Sequence, residues 1–224
     1  MHELNLIQQL AVFVLPLVFA ITVHETAHGW VADKLGDHTA RMRGRITLNP
    51  IPHIDPVGTI IVPLALYALS SLSGGGGILF GWAKPVPIDP RNFRHYRRDM
   101  ALTAAAGPAS NLLMMLAWGV VLRLSLVLEP VSAWVAEPLA YMAMGGILIN
   151  ALLMVLNLLP ILPLDGGRVV ASLLPPRLAV SYSRLEPWGL FILLGLMFTG
   201  LLGVVLWPMM DAVQGLAFRV AGVL

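Results

Sequence analysis

Four apolar stretches, each long enough to cross a bilayer, constrain this chain more than any other feature, because a membrane helix needs about 20 consecutive apolar residues. They run over about 6–31, 101–128, 138–162 and 188–208. The rest of the composition agrees with them. Of 224 residues 58% are hydrophobic and 12% charged, about half the charged fraction of a soluble domain. A soluble globule of this size could not cover that much apolar surface. The same figures exclude intrinsic disorder and a basic arm for nucleic acid. The chain therefore reads as an all-α polytopic membrane protein with the lipid bilayer as its surroundings. Cysteine is absent, so disulfides, thiolate-bound zinc and a thiol nucleophile are all excluded. Any metal would be held by histidines and carboxylates.

The basic residues give the stretches a direction. Lys34, Arg41, Arg43 and Arg45 follow the first; Lys84, Arg91, Arg94, Arg97 and Arg98 precede the second; Arg168, Arg177 and Arg184 lie between the third and fourth. These are twelve of the fourteen Lys and Arg residues, and the positive-inside rule puts them in the cytoplasm. The first stretch has no basic leader and carries polar residues where a signal peptide needs small ones, so it is read as a span. With all three basic groups on one side, the apolar stretch 57–80 must enter and return on that side. Pro63 and the run Ser73-Gly74-Gly75-Gly76-Gly77 favour a re-entrant hairpin over the alternative, a fifth full span. On either side lie 44–50 (G-R-I-T-L-N-P) and 81–87 (G-W-A-K-P-V-P). They read as short extended or edge segments forming a small membrane-associated β region, the alternative being proline-rich loops.

Within the first stretch stands His24-Glu25-Thr26-Ala27-His28, an H-E-x-x-H pattern. Four residues make slightly more than one helical turn, so both imidazoles project from one face and can share one zinc ion. Glu25 sits beside the first histidine, where it can take a proton from the attacking water. With six His and five Glu in the chain, chance predicts roughly 0.004 such patterns. A structural role for three ionisable residues is also expensive, since each costs about 2.5–3.5 kcal/mol inside a span.

A catalytic zinc takes three protein ligands and keeps the fourth position open. His38, His53, Asp55, Glu129, Glu137 and Glu186 lie in loops or at the ends of spans, whereas Asp165 follows the third stretch in N-L-L-P-I-L-P-L-D-G-G. The topology brings that end and the histidines to the same side of the membrane, which singles out Asp165 as the candidate third ligand. Its alternative is a turn aspartate before Gly-Gly. Two amides lie in or beside apolar spans, Asn111 and Asn157. Each could bond a neighbouring backbone, and Asn157, about two turns before Asp165, could instead donate to an oxyanion or to substrate backbone.

Together, H-E-x-x-H (His24, Glu25, His28), G-P-x-x-N (Gly107, Pro108, Asn111) and N-x-x-P-x-x-P-L-D-G-G (Asn157 to Gly167), with the two extended segments, resemble the site-2 protease family of intramembrane zinc metalloproteases. The resemblance covers about 23–168. It implies one zinc held by His24, His28 and Asp165, Glu25 as general base, and hydrolysis of peptide bonds in or near transmembrane helices of protein substrates. The expected organisation is a single membrane protease domain over 1–224, with a catalytic core of about 6–168 and a last span at 188–208. Its expected location is the cell membrane of a prokaryote, with the site toward the cytoplasm. The chain has no room for the PDZ or CBS domain of larger relatives. Two rivals remain: a membrane zinc hydrolase of the prenyl-peptide protease type, with a downstream Glu as ligand, and a metal carrier with the His pair as transport site.

Overall fold

A computed structural model of the chain describes residues 6–62, 65 and 81–223. Helix α1 (Leu6–Lys34) is followed by the short α2 (Thr39–Met42), then by α3 (Tyr96–Leu128), α4 (Ala133–Asn157), α5 (Asp165–Leu173), α6 (Pro176–Ser183), α7 (Gly189–Phe198) and α8 (Leu201–Ala221). Among the described residues, four segments are long and apolar enough to span a membrane: Val12–Lys34 in α1, and the whole of α3, α4 and α8. At about 1.5 Å per residue, the 33 residues of α3 exceed the roughly 30 Å of hydrocarbon. Its first turn therefore projects past the apolar layer. There Asp99 accepts from the His95 N–H at 2.8 Å and from Arg98 Nε at 2.9 Å, closing the helix start.

Contacts between named residues fix how the helices run. Along α1 from His24 to His28, the partners on α3 go backward from Asn111 to Thr103, so the two helices are antiparallel. Similarly, Trp118 of α3 packs on Gly146 while Asn111 meets Asn150, making α3 and α4 antiparallel. Gly119 faces Ala217 and Arg123 faces Ala221, so α8 runs parallel to α3. Glycines set the closest approaches. A Cβ on Gly146 would lie 2.4 Å from the Trp118 ring, and one on Gly119 would lie 2.6 Å from Ala217 O. In a membrane, where hydrophobic burial drives little association, such small-residue contacts carry the packing. Met115, Ile147, Ala151 and Val155 fill the space between α3 and α4.

Three sequence expectations are corrected. The last span is not 188–208: the chain breaks after α7 at Gly200, which has a left-handed φ of 76°, and the spanning helix is Leu201–Ala221. Hydropathy continues across Thr199-Gly200 and so hides the break. Pro208, taken as the end, lies inside α8. The small β region is also absent, since no strand occurs among the described residues. Residues 44–50 turn at Gly44, with φ 62°, and prolines 85 and 87 remove the amides a ladder would need. Lastly, α4 ends at Asn157, and turns rather than helix carry the chain from 158 to Asp165. The re-entrant hairpin expected over 57–80 lies mostly outside the described residues. Its described flanks meet, the Trp82 N–H donating to Gly58 O at 3.0 Å.

The segment 81–92 is tied along α1 and its C-terminal loop. Lys84 N–H donates to His53 O at 2.9 Å, and Arg45 Nη2 donates to Lys84 O at 2.7 Å. Fully buried Asp37 holds the far end, accepting from Asp89 N–H at 2.7 Å, Asn92 Nδ2 at 2.9 Å and Thr39 N–H at 3.1 Å. Burial alone would raise the Asp37 carboxyl. The bonds from Asn92, Thr39 and Asp89 outweigh it and hold the group below its ordinary value of 3.8. A carboxylate with a lowered folded pKa stabilises the protein above its unfolded pKa, and the gain is lost as pH falls through the folded value. Asp37→Asn is therefore expected to cost about 1–3 kcal/mol at pH 7. The deficit should shrink as pH falls below the carboxyl's ordinary value of 3.8, which thermal unfolding in detergent across pH would check; a pH-independent deficit would contradict this role.

Candidate metal centre

Three helices meet where α1 and α3 cross the start of α5. The His24 and His28 Nε2 atoms lie 3.1 Å apart and 3.2 and 3.3 Å from Asp165 Oδ2. The three ligand atoms all fall within 4.8 Å of one another, and both histidines are buried. H-E-x-x-H supplies the pair locally, as helical spacing requires. Asp165 arrives from the first residue of α5. That placement depends on Gly166 and Gly167, where a Cβ would lie 2.3 Å from Leu158 O and 2.6 Å from Ile161 C. The glycine pair lets the helix start sit on the preceding turns. Arg97 anchors the other end of α5, with Nε donating to Ser172 O at 2.9 Å and Nη2 to Leu173 O at 2.8 Å.

Two backbone carbonyls decide the protonation of both rings. Thr103 O can only accept, so His28 Nδ1, 2.7 Å away, is the donor. Gly146 O likewise makes Asn150 Nδ2 a donor at 2.8 Å, which turns Asn150 Oδ1 toward Asn111 Nδ2 at 3.0 Å. Asn111 Oδ1 then accepts from His24 Nδ1 at 2.5 Å. In their neutral, metal-binding form both imidazoles accordingly carry the proton on Nδ1 and point an Nε2 lone pair inward. Two lone pairs and a carboxylate facing one another repel unless a cation lies among them. Asp165 Oδ2 is buried with no hydrogen-bond donor aimed at it. A divalent cation is the group this donor set fits, and His-His-carboxylate suits zinc.

Glu25 extends beside this cluster and accepts from the Val86 N–H at 2.8 Å. Asn157, the other candidate catalytic residue, donates to Leu153 O of its own helix at 2.9 Å. Among the described residues, no hydrogen bond joins it to the three. Several other ionisable candidates have partners elsewhere: His38 pairs with Asp33 and His53 Nε2 with Thr47 O, while Asp55 accepts from Val57 and Gly58 N–H groups. Glu186 lies 3.6 Å from Arg168. Sequence reading missed Asn150, Thr103 and Val86. Asn150 carried a signal of the kind that marked Asn111, a polar amide in the middle of an apolar span. The other two act through backbone atoms, which no side-chain pattern reveals.

The chain is 38% identical over 206 residues to "Putative zinc metalloprotease YwhC" of Bacillus subtilis, covering 89% of this chain and 85% of that relative. It is 29% identical over 185 residues to "Putative zinc metalloprotease Rip2" of Mycolicibacterium smegmatis, covering 81% of this chain and 64% of the relative. Rip2 of Mycobacterium tuberculosis (strain H37Rv) is 28% identical over 207 residues, with 90% and 73% covered. No family model matches the chain, and no solved structure matches it.

Gly107 lies directly behind the rings, and a Cβ there would be 2.4 Å from His28 Nε2 and 2.5 Å from His24 Cε1. Gly107→Ala is expected to displace both imidazoles and abolish retention of zinc. Asn150→Leu, which releases Asn111 to rotate, should weaken zinc about 10- to 100-fold. Metal content after dialysis against graded chelator checks both; wild-type retention in the two variants would contradict the ring-orienting role.

Proposed function

Because the chain belongs to the site-2 protease family of zinc metalloproteases, we propose that it is an intramembrane-cleaving endopeptidase acting on transmembrane protein substrates. The observation that carries this reading is the convergence of His24 Nε2 and His28 Nε2 from a spanning helix with the donor-free Asp165 Oδ2 at the start of α5, beside Glu25. In this reading His24, His28 and Asp165 hold one zinc per chain. Zinc held there would supply Lewis acidity, activating water and polarising the scissile carbonyl. Glu25 takes a proton from the attacking water and returns it to the leaving amine, as general base and then general acid. Asn111 and Thr103 O keep the imidazoles in the ligating tautomer throughout. The substrate helix must unwind locally, since a helical peptide carbonyl is shielded by its own turn.

The twelve basic residues grouped after α1, before and at the start of α3, and after α4 support a cytoplasmic orientation of the site in a prokaryotic cell membrane. Such a site draws its water from the cytoplasm. Glu25→Gln in the purified, zinc-loaded protein should lower cleavage of a transmembrane substrate at least 100-fold while zinc is retained, about the size of a lost acid-base group. Asp165→Ala should instead lose zinc, and Glu129→Ala, Glu137→Ala and Glu186→Ala should keep it. Cleavage at the wild-type rate by Glu25→Gln, or zinc loss in a glutamate variant rather than in Asp165→Ala, would overturn the assignment.

A further inference from the structure

The segment Gly81-Trp82-Ala83-Lys84-Pro85-Val86-Pro87-Ile88-Asp89-Pro90 has prolines at alternate positions around Val86. Proline has no N–H, so between Lys84 and Ile88 the backbone keeps a single donor, that of Val86. Proline also fixes its own φ and pushes the residue before it into extended conformations, so this stretch is stiff. The structure pins it on both sides of Val86. Lys84 N–H is bonded to His53 O, Lys84 O and Pro85 O accept from Arg45 Nη2 at 2.7 and 3.3 Å, and Asp89 N–H is bonded to Asp37. The Val86 side chain is buried against Gly29, where a Cβ would stand 3.0 Å from Val86 Cγ1. The Val86 amide is thereby aimed at Glu25 Oε2, 2.8 Å away and 61 residues distant in sequence.

We propose that the Val86 N–H is a dedicated positioning group for Glu25, holding one carboxylate oxygen so that the other faces the reacting water. The inference rests on the general-base role proposed above for Glu25. A glutamate side chain is otherwise free about several bonds, and ordering it at the moment of reaction would cost rate. A backbone amide suits the task because it donates without ever accepting and cannot lose its proton at any working pH. The Pro-Val-Pro frame makes that donor rigid and removes its neighbours from competition. A segment that by its extended shape suggested an edge strand serves in this view as a bracket for the base.

The test compares Val86→Pro, which deletes the N–H, with Val86→Ala, which keeps it and removes only side-chain packing. Both are assayed on a transmembrane substrate in the zinc-loaded, detergent-purified protein. Val86→Pro is expected to lower kcat about 10-fold or more with KM and zinc content unchanged, since only alignment of the base is lost. Val86→Ala, which keeps the amide and loses only part of the packing that aims it, should lose clearly less than Val86→Pro. In a Glu25→Gln background Val86→Pro should have little further effect, because the two changes act on one interaction. If Val86→Pro fails to fold, replacing Val86 by its α-hydroxy acid deletes the same N–H through a backbone ester and leaves the side chain in place. Wild-type kcat in whichever amide-deleted protein folds, an equal loss in Val86→Ala, or full multiplication of the two effects in the double variant would each overturn the proposal. Failure of the base assignment is read separately, from Glu25→Gln alone retaining activity.

Discussion

Two imidazoles one turn apart in a membrane-spanning helix have four ring nitrogens, and hydrocarbon offers none of them a partner. The packing of the bundle follows from meeting that demand. The two Nδ1 atoms are satisfied on α3, by Thr103 O and Asn111 Oδ1, which fixes the antiparallel register of α1 and α3. Asn111 in turn needs an acceptor for its amide, and Asn150 provides it from α4, so the register of the third helix is tied to the first two. Gly107 lets α3 come close enough for these bonds, because any larger residue would occupy the rings' own space. What the network leaves unsatisfied is the inner pair of Nε2 lone pairs with Asp165 Oδ2. Those three donor atoms, brought together from α1 and α5 and left facing one another, are where this network needs a cation.

The parts of this arrangement that were legible in the sequence are those that depend on one helix. H-E-x-x-H is local, and its 3.6-residue period places both rings on a face without knowledge of any neighbour. The three earlier spans were legible for the same reason, their lengths and hydropathy being properties of single segments. Asp165 needed one further step, an argument from membrane depth, and the structure brings it beside the histidines. The Asn111–Asn150 relay was out of reach because it depends on the register of three helices. Asn111 appeared in the sequence as an amide in an apolar span and as the last residue of G-P-x-x-N, with nothing to name its partners. The break at Gly200 escaped because hydropathy averaged over a window is blind to φ. The extended segments suggested edge strands, but proline at 85 and 87 removes the donors a ladder would need.

The scarce charges outside the spans do a different job from those within. Asp37 ties 89 and 92 to the end of α1, and Arg45 ties 84 and 85 to the same loop. Both therefore hold the backbone that lies against Glu25. Arg97, in the first turn of α3, donates to the C-terminal carbonyls of α5, where a cation is favoured by both hydrogen bonding and the helix dipole.

That last bond bears on how the third donor is held. Asp165 sits at the N-terminus of a nine-residue helix, too short to be stable alone in water. Its position must come from its contacts. At its start the backbone of Gly166 and Gly167 rests on the turns 158–162, and at its end Arg97 gathers the free carbonyls. The same α3 that carries Arg97 carries Thr103, Gly107 and Asn111 farther along one continuous helix. One rod therefore orients both imidazoles and fixes the far end of the element bearing the carboxylate. A displacement of α3 along its axis would disturb all three donors together, so the geometry of the centre is set by one helix that contributes none of them.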